Sequence, residues 1–289
     1  MKTFEELTTT TQTAEWIPTE TWAKLILEGA WESRKLAGIV SAVEYDKNAG
    51  EGTNIEVRFF PARSAQGPIS EGNALTATSS DPTVKAITIA KYGDYDLVTG
   101  ETFEDTSDNF KVRLANSMSH AISEKLDALV YAELETAVEG YTATLTTAGT
   151  ITELYDKVVE LRGDMLGGKV KPDTLIIHPD MEAAFAKETS QGVRGMMVNF
   201  GNDGNLSKVA GLNVVVSAAA NANTTTTTEV QAIVIDSSRA VGEAYGRPLE
   251  FKTAEPDIEY DRTKVVCWIR YGTAELDTEG IGHVINPSS

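Results

Sequence analysis

The segment 105–140 carries the longest helix pattern in this sequence and limits what the chain can fold into. Apolar residues recur along it every three or four positions, which is the spacing of one helix face. They are Phe110, Leu114, Met118, Ile122, Leu126, Leu129, Val130, Leu134 and Val138. Asp105 to Asp108 offer N-caps and Gly140 a C-terminal stop. Roughly thirty helical residues make a rod of about 45 Å. A rod with one apolar face is expected to pack on a sheet.

Two segments with alternating side chains flank a long interruption. Residues 53–59 and 83–91 alternate apolar with polar positions, as half-buried strands do, and we expect them to pair. A hairpin normally turns in two to five residues. The segment 61–83, about 23 residues, lies between these strands instead. It is therefore an active-site lid, a disordered loop or an arm that reaches a partner.

The N-terminal region is unusually rich in tryptophan. Trp16, Trp22 and Trp31, three of the four tryptophans of the chain, lie on or beside an amphipathic segment from Pro18 to about Leu36. So much apolar surface on a terminal segment needs a surface to lie against. Either the segment packs on its own subunit, or it is an arm that lies across a neighbouring subunit.

The rest of the chain mixes short helices and strands. Helices are predicted at 150–167 and 179–187 and a glycine-rich surface loop at 192–204. Strands are predicted at 174–178, 212–217, 230–236, 239–253, 264–276 and 281–285. The fold class is therefore α+β, with a mixed subdomain inserted between the long helix and the C-terminal strands.

Charge and hydropathy exclude some partners. The chain has 25 Lys and Arg against 43 Asp and Glu, a net charge of −18 at pH 7. Nucleic-acid binding depends on cations that neutralise phosphates, so a broad nucleic-acid-binding surface is excluded and only a local basic patch remains open. No run approaches the roughly 18 apolar residues of a membrane helix, and no membrane partner is expected. The N terminus lacks the layout of a secretory signal, so we expect the protein to function inside a cell.

Candidate catalytic and metal-binding residues are few. Cys267 is the only cysteine and is predicted to be buried in a strand, so no intrachain disulfide forms. None of His120, His178 and His283 has a second histidine three or four positions away, as in a His-Glu-x-x-His motif, and neither metal nor cofactor is expected. His178 and Asp180 could form a general-base pair, which keeps a small-molecule hydrolase as a distant alternative. We otherwise expect no enzymatic activity.

The order of these features resembles one family. Residues 69–72 (Ile-Ser-Glu-Gly) precede the strand at 83–89, and the acids of 101–105 lead into the long helix. Near the C terminus come Asp236-Ser237-Ser238-Arg239-Ala240, Tyr260-Asp261, Arg270-Tyr271-Gly272 and Gly280-Ile281. Together they resemble the major capsid proteins of tailed viruses, which have the Hong Kong ninety-seven-like fold.

The resemblance implies a division of the chain. Its parts would be an N-terminal arm (1–43), an extended loop (44–94), a peripheral domain with the spine helix (95–140), an axial domain (141–246) and the C-terminal strands of the peripheral domain (247–289). The implied function is that of a major capsid protein, which self-assembles through hexamers and pentamers into an icosahedral shell around a double-stranded DNA viral genome. The DNA would be enclosed without sequence-specific binding.

The resemblance also implies partners and locations. Expected partners are copies of the same chain, neighbouring capsomers, and scaffolding, portal and decoration proteins. Expected locations are the host cytoplasm during assembly and then the virion capsid. An encapsulin-like compartment shell shares this fold and is the nearer alternative function.

Six residues are expected to make contacts between subunits. Trp16, Trp22 and Trp31 would anchor the arm, while Arg58, Arg63 and Glu71 would form ion pairs with an adjacent subunit. Some relatives crosslink a loop lysine to an asparagine. The segment 61–83 contains no lysine, so no such crosslink is expected here.

Overall fold

The structure is a computed structural model that describes residues 35–43, 54–59, 67–68, 71, 74, 82–99, 109–147, 151–189, 198–200, 206–222, 229–253 and 262–287. Its helices are α1 (Asn109–Thr136), α2 (Ile151–Gly167) and α3 (Pro179–Thr189), with a 3-10 turn at Thr278–Gly280. Its strands are β1 (Ser41–Val43), β2 (Asn54–Phe59), β3 (Thr83–Thr88), β4 (Ala90–Thr99), β5 (Tyr141–Thr144), β6 (Thr174–Ile177), β7 (Val198–Phe200), β8 (Leu206–Val209), β9 (Leu212–Val216), β10 (Val230–Ile235), β11 (Val241–Thr253), β12 (Arg262–Glu275) and β13 (Ile281–Ile285).

One sheet has four strands in the order β1-β11-β12-β4. The long strand β12 pairs antiparallel with β11 on one side and β4 on the other, while β1 adds to β11 in parallel. Strands β2 and β3 form a separate antiparallel hairpin in which Asn54 faces Thr88 and Phe59 faces Thr83. The predicted pairing of 53–59 with 83–91 is confirmed, except that the strand breaks at Ile89 and continues as β4.

A second sheet has seven strands in the order β5-β13-β10-β6-β9-β8-β7. Its central strands are buried on both faces, since every residue of β6 and β10 is buried. Along β10, Ile233 and Ile235 belong to the core cluster that contains α1, and Ala232 and Val234 to the cluster that contains α2. The sheet therefore lies between two helices.

Helix α1 packs against both sheets through the predicted apolar face. Met118, Ile122, Leu126, Val130 and Leu134 are buried in one core with Val265, Cys267 and Ile269 of β12 and Ile281 of β13. The predicted member Val138 is wrong, because α1 ends at Thr136 and the Val138 side chain is 69% exposed. The backbone N–H of Gly140 instead bonds to Thr278 and Ile281 carbonyls, which directs the chain into β5 beside β13.

Most predicted elements after the long helix are confirmed, with small shifts at their ends. Short strands were missed: β1, β5, β7 and β8 have three or four residues each, and β7 lies inside the glycine-rich segment predicted as a loop. The division at 246/247 stays a prediction, and the sheets do not follow it. Strand β11 begins before this boundary, and β13, after it, lies in the seven-stranded sheet.

Candidate subunit-contact surfaces

The β2–β3 hairpin is apolar at its base and polar on its outer side. Ile55 and Ile87 alternate with exposed neighbours and are buried in a small cluster with Ile89, Ala244 and Leu276. On the outer side, the Arg58 side chain is 66% exposed and lies 3.6 Å from Glu56 of the same strand. Alternation places one face of the hairpin on the subunit and leaves the other face exposed.

The four-stranded sheet has one face turned away from α1. Residues that pair across its strands share this face, which we call the open sheet face. It includes Lys91, Tyr95, Leu97, Glu250, Lys252, Lys264, Val266, Trp268 and Arg270. The Tyr95 side chain is 67% and that of Leu97 40% exposed, which is unusual for large apolar residues in mid-strand. Such a face is typical of an interaction surface.

Trp268 is the centre of the open sheet face. The Lys91 ammonium lies 4.1 Å and that of Lys252 5.2 Å from a Trp268 ring centroid, within cation–π range. The indole N–H donates a 2.9 Å hydrogen bond to Glu250, whose carboxylate also lies 3.4 Å from Arg247. The indole is thus held in one orientation.

The charge of this face is opposite to that of the whole chain. Lys91, Lys252, Lys264 and Arg270 lie on it with Glu250 as the acid that contacts Trp268, although the net charge of the chain is −18. A basic face on an acidic chain attracts acidic surfaces, including those of other copies.

Asp127 of α1 fixes the point at which the N-terminal segment reaches the subunit. Its buried carboxylate accepts three consecutive backbone N–H groups, from Lys35 at 2.9 Å and from Leu36 and Ala37 at 3.0 Å each. The Lys35 ammonium donates to the Val216 carbonyl of β9. These bonds join the segment before β1 to the long helix and to the seven-stranded sheet.

The predicted contact residues are only partly described. Arg58 and Glu71 are both exposed, whereas Trp16, Trp22, Trp31 and Arg63 lie outside the described residues. Sequence reasoning missed Trp268 and Asp127. A signal for the former existed, because Lys91, Tyr95 and Leu97 alternate in step with Lys264, Val266 and Trp268. No local signal marks Asp127, whose partners lie 90 to 92 residues away.

His178 and Asp180 do lie together, but as a helix cap. The His178 carbonyl accepts from the N–H groups of Met181 and Glu182, and its Nδ1 accepts the Asp180 N–H at 3.2 Å. The same Nδ1 lies 3.2 Å from the Asp180 carboxylate. A nitrogen that accepts a backbone N–H cannot also donate to a carboxylate, as the oriented histidine of a general-base pair does. The start of α3 explains this pair.

Burial shifts the pKa of three further groups in the direction that favours their uncharged form. It raises the pKa of the Cys267 thiol to about 11 and that of the Tyr131 hydroxyl, which accepts the Asn221 N–H, to about 12. It lowers the pKa of His283, whose Nε2 bonds to the Leu134 carbonyl. Within the described ranges, no group of three or more His, Cys, Asp or Glu is placed to hold a metal ion. The helices described there are too short or too polar to span a membrane.

Comparison with solved structures shows the same architecture in viral and related particles. The capsid of the cyanophage P-SCSP1u matches with 16% identity over 86% of each chain and a TM-score of 0.64. The mature capsid of bacteriophage PhiM1 matches with 12% identity, covering 89% of this chain and 88% of that one, with a TM-score of 0.63. The capsid of an empty GTA particle matches with 15% identity over 88% and 90%, at 0.64.

Comparison by sequence gives the family. No curated protein matches the chain. The model of a family described as phage capsid protein matches residues 82–284, from β3 through β13 and thus through both sheets and α1. The predicted Hong Kong ninety-seven-like fold is confirmed by the solved capsids. The chain belongs to the phage capsid protein family and is a capsid shell protein.

Proposed function

We propose that this chain is the major capsid protein of a tailed virus and assembles, through hexamers and pentamers, into an icosahedral shell around double-stranded DNA. The open sheet face is the observation that carries the proposal. It presents Tyr95, Leu97 and Trp268 together on one sheet face, outside the three clusters that form the described apolar core of the subunit. A subunit with such a face is completed by a neighbour.

The hairpin supplies the second half of the contact. It leaves the four-stranded sheet as a separate two-stranded unit with an exposed outer side, and in this proposal it lies on a different surface of the next subunit. Contacts between unlike surfaces are heterologous, and they close into rings when the rotation allows. Arg58, Glu71 and, outside the described residues, Arg63 would form ion pairs with the next subunit, while the arm tryptophans would bury apolar area on it.

DNA would be enclosed rather than bound at specific sites. A net charge of −18 opposes tight binding of a polyanion over the whole inner wall. This suits a genome held by the shell as a container. Scaffolding, portal and decoration proteins would be further partners, and assembly would take place in the host cytoplasm.

Expression of the chain alone tests self-assembly. Light scattering and negative-stain microscopy are expected to show closed shells, or rings of five and six subunits. Arg58→Glu is expected to lower the assembled fraction severalfold with an unchanged melting temperature, because the side chain is exposed. Lys125→Glu, at another exposed position but on α1, is the matched control. A stable monomer or dimer at high concentration, with or without co-expressed viral proteins, would contradict the proposal.

Particle contents separate the two shell functions. A viral capsid is expected to protect DNA from nuclease in infected or induced cells, whereas an encapsulin-like shell would carry an enzyme as cargo. The family match to phage capsid proteins favours the viral function. The hydrolase alternative has lost its main support, since His178 and Asp180 cap α3.

A further inference from the structure

The hairpin base touches the four-stranded sheet at a point of close backbone approach. A Cβ at Gly272 would collide with the Thr88 carbonyl oxygen, and a Cβ at Gly246 would lie 2.9 Å from the Ile89 side chain. These glycines let β3 cross directly over β11 and β12. Ile55 and Ile87 fill the space beside this crossing. The crossing fixes the position of the hairpin base, but it lies at only one end of the hairpin.

An ion pair lies farther along the hairpin. The Lys85 ammonium, from the middle of β3, lies 2.9 Å from the Glu275 carboxylate at the end of β12. Glu275 is only 15% exposed and also accepts the Val138 N–H, at 3.4 Å, just after α1. One carboxylate thus joins the hairpin, the four-stranded sheet and the end of the long helix.

We propose that the Lys85–Glu275 ion pair sets the angle at which the β2–β3 hairpin leaves the subunit, and that these two residues are positioning residues for assembly. The effect on the hairpin angle follows from the contacts of Glu275 with Lys85 and with the Val138 N–H. The consequence for assembly rests on the proposed shell function. The pair is suited to this role because it holds the hairpin at a second point, away from the crossing at Thr88.

Distance from the crossing makes the ion pair effective. Lys85 lies three residues from Thr88, or about 10 Å at the rise of a β-strand, and the far end of the described hairpin at Thr83 lies about 17 Å from Thr88. A tilt of about 10° at the crossing would displace this far end, near Phe59 and Thr83, by about 3 Å. Ion pairs across an interface need atoms within about 4 Å, so such a displacement is enough to break them.

The angle can be measured on the unassembled subunit. Spin labels on Val84→Cys, exposed in β3, and Glu124→Cys, exposed on α1, report the distance between hairpin and helix, while buried Cys267 stays unlabelled. In this background, Lys85→Met and Glu275→Gln are each expected to broaden the distance distribution about twofold. Lys85→Arg retains the pair and is expected to restore the narrow distribution. The melting temperature should hardly change, since partly exposed ion pairs add little stability.

The outcomes divide cleanly. A distribution unchanged by Lys85→Met overturns the proposal. A distribution that is equally broad in Lys85→Arg also overturns it, because the ion pair would then not be the cause. Lys157→Met removes a similar 2.8 Å pair with Glu160 on α2 and is the matched control. It is expected to leave the distribution narrow.

Assembly then tests the consequence. Lys85→Met and Glu275→Gln are expected to lower the yield of closed shells about tenfold and to widen their diameters, with Lys157→Met at the wild-type yield. Wild-type protein that forms no shells would refute the proposed function and leave the spin-label result standing. Wild-type shells with unchanged yield and diameter in both variants would refute the positioning role in assembly alone.

Discussion

The two sheets of the subunit differ in how they are covered. The seven-stranded sheet lies between α1 and α2, and its central strands β6 and β10 are buried throughout. The four-stranded sheet packs on α1 through Val98, Val265 and Cys267, while its other face exposes Tyr95 and Leu97. Helix α1 packs on one face of each sheet, so the two sheets differ in whether the other face is covered.

This difference separates folding from assembly. A sheet covered on both faces has completed its burial within one chain. A sheet with an apolar and basic second face has burial left to complete, and a neighbour can provide it. Substitutions in the first sheet should therefore lower the stability of the subunit, and substitutions on the open sheet face should act mainly on contacts between subunits.

The largest effect is expected in the seven-stranded sheet. Ile233→Ala removes a fully buried side chain of β10 that packs against α1, and the cavity should cost about 4 kcal/mol of unfolding free energy. Tyr95→Ala, on the open sheet face, should change stability by less than about 0.5 kcal/mol because the side chain is mostly exposed. Urea denaturation of both variants measures the contrast. Equal losses would show that the open face is buried within the subunit.

Asp127 gives the next effect and tests how the sheets are joined. Asp127→Ala leaves the N–H groups of Lys35, Leu36 and Ala37 without their carboxylate, which should cost about 3 kcal/mol. Hydrogen exchange should rise at β1, which follows this segment, and stay slow at β10.

A control on the same helix separates this effect from a general loss of charge. Glu124→Gln alters an exposed acid of α1 and should change neither stability nor exchange. If exchange in β10 rose as much as in β1 in the Asp127 variant, the carboxylate would support the whole core rather than one edge strand.

The sequence predicted the buried helices and strands better than the long-range contacts that join them. The strand in 230–236 and the apolar stripe of α1 could be predicted because burial leaves a local pattern in the sequence, a mostly apolar run in the strand and a helical period in α1. Asp127 and Glu275 could not be predicted, because each bonds to groups that are 90 or more residues away in the chain. Of the contact residues, Arg58 could be predicted as an exposed position of an alternating strand. For Trp268 the alternation of Lys264, Val266 and Trp268 marks one face of a strand, but its neighbours on that face depend on the register between β12 and β4, which the sequence does not give.

A smaller effect is expected within the open sheet face. A double-mutant cycle with Lys91→Met and Trp268→Leu should give a coupling free energy of about 0.5–1 kcal/mol, the range for an exposed cation–π contact. Pairing Lys252→Met with Trp268→Leu should give less, since that ammonium is more distant from the ring. Trp268→Leu should also lower the yield of assembled shells, and by more than the loss of the Lys91–Trp268 contact alone would cause. An undiminished shell yield would remove Trp268 from the contact surface.

The smallest effect is a dependence of subunit stability on pH that arises in the seven-stranded sheet. His283 of β13 is buried, and burial lowers its pKa in the folded protein below the ordinary value of about 6.5. As the pH falls through that value, the unfolded chain binds the proton before the folded one does, so stability should decline. His283→Gln can still donate to the Leu134 carbonyl and should flatten the decline between about pH 7 and 5. The urea midpoint across this range measures it, with exposed His120→Gln as the control that keeps the wild-type slope. If the slope survived in His283→Gln, acid sensitivity would arise outside the covered sheet.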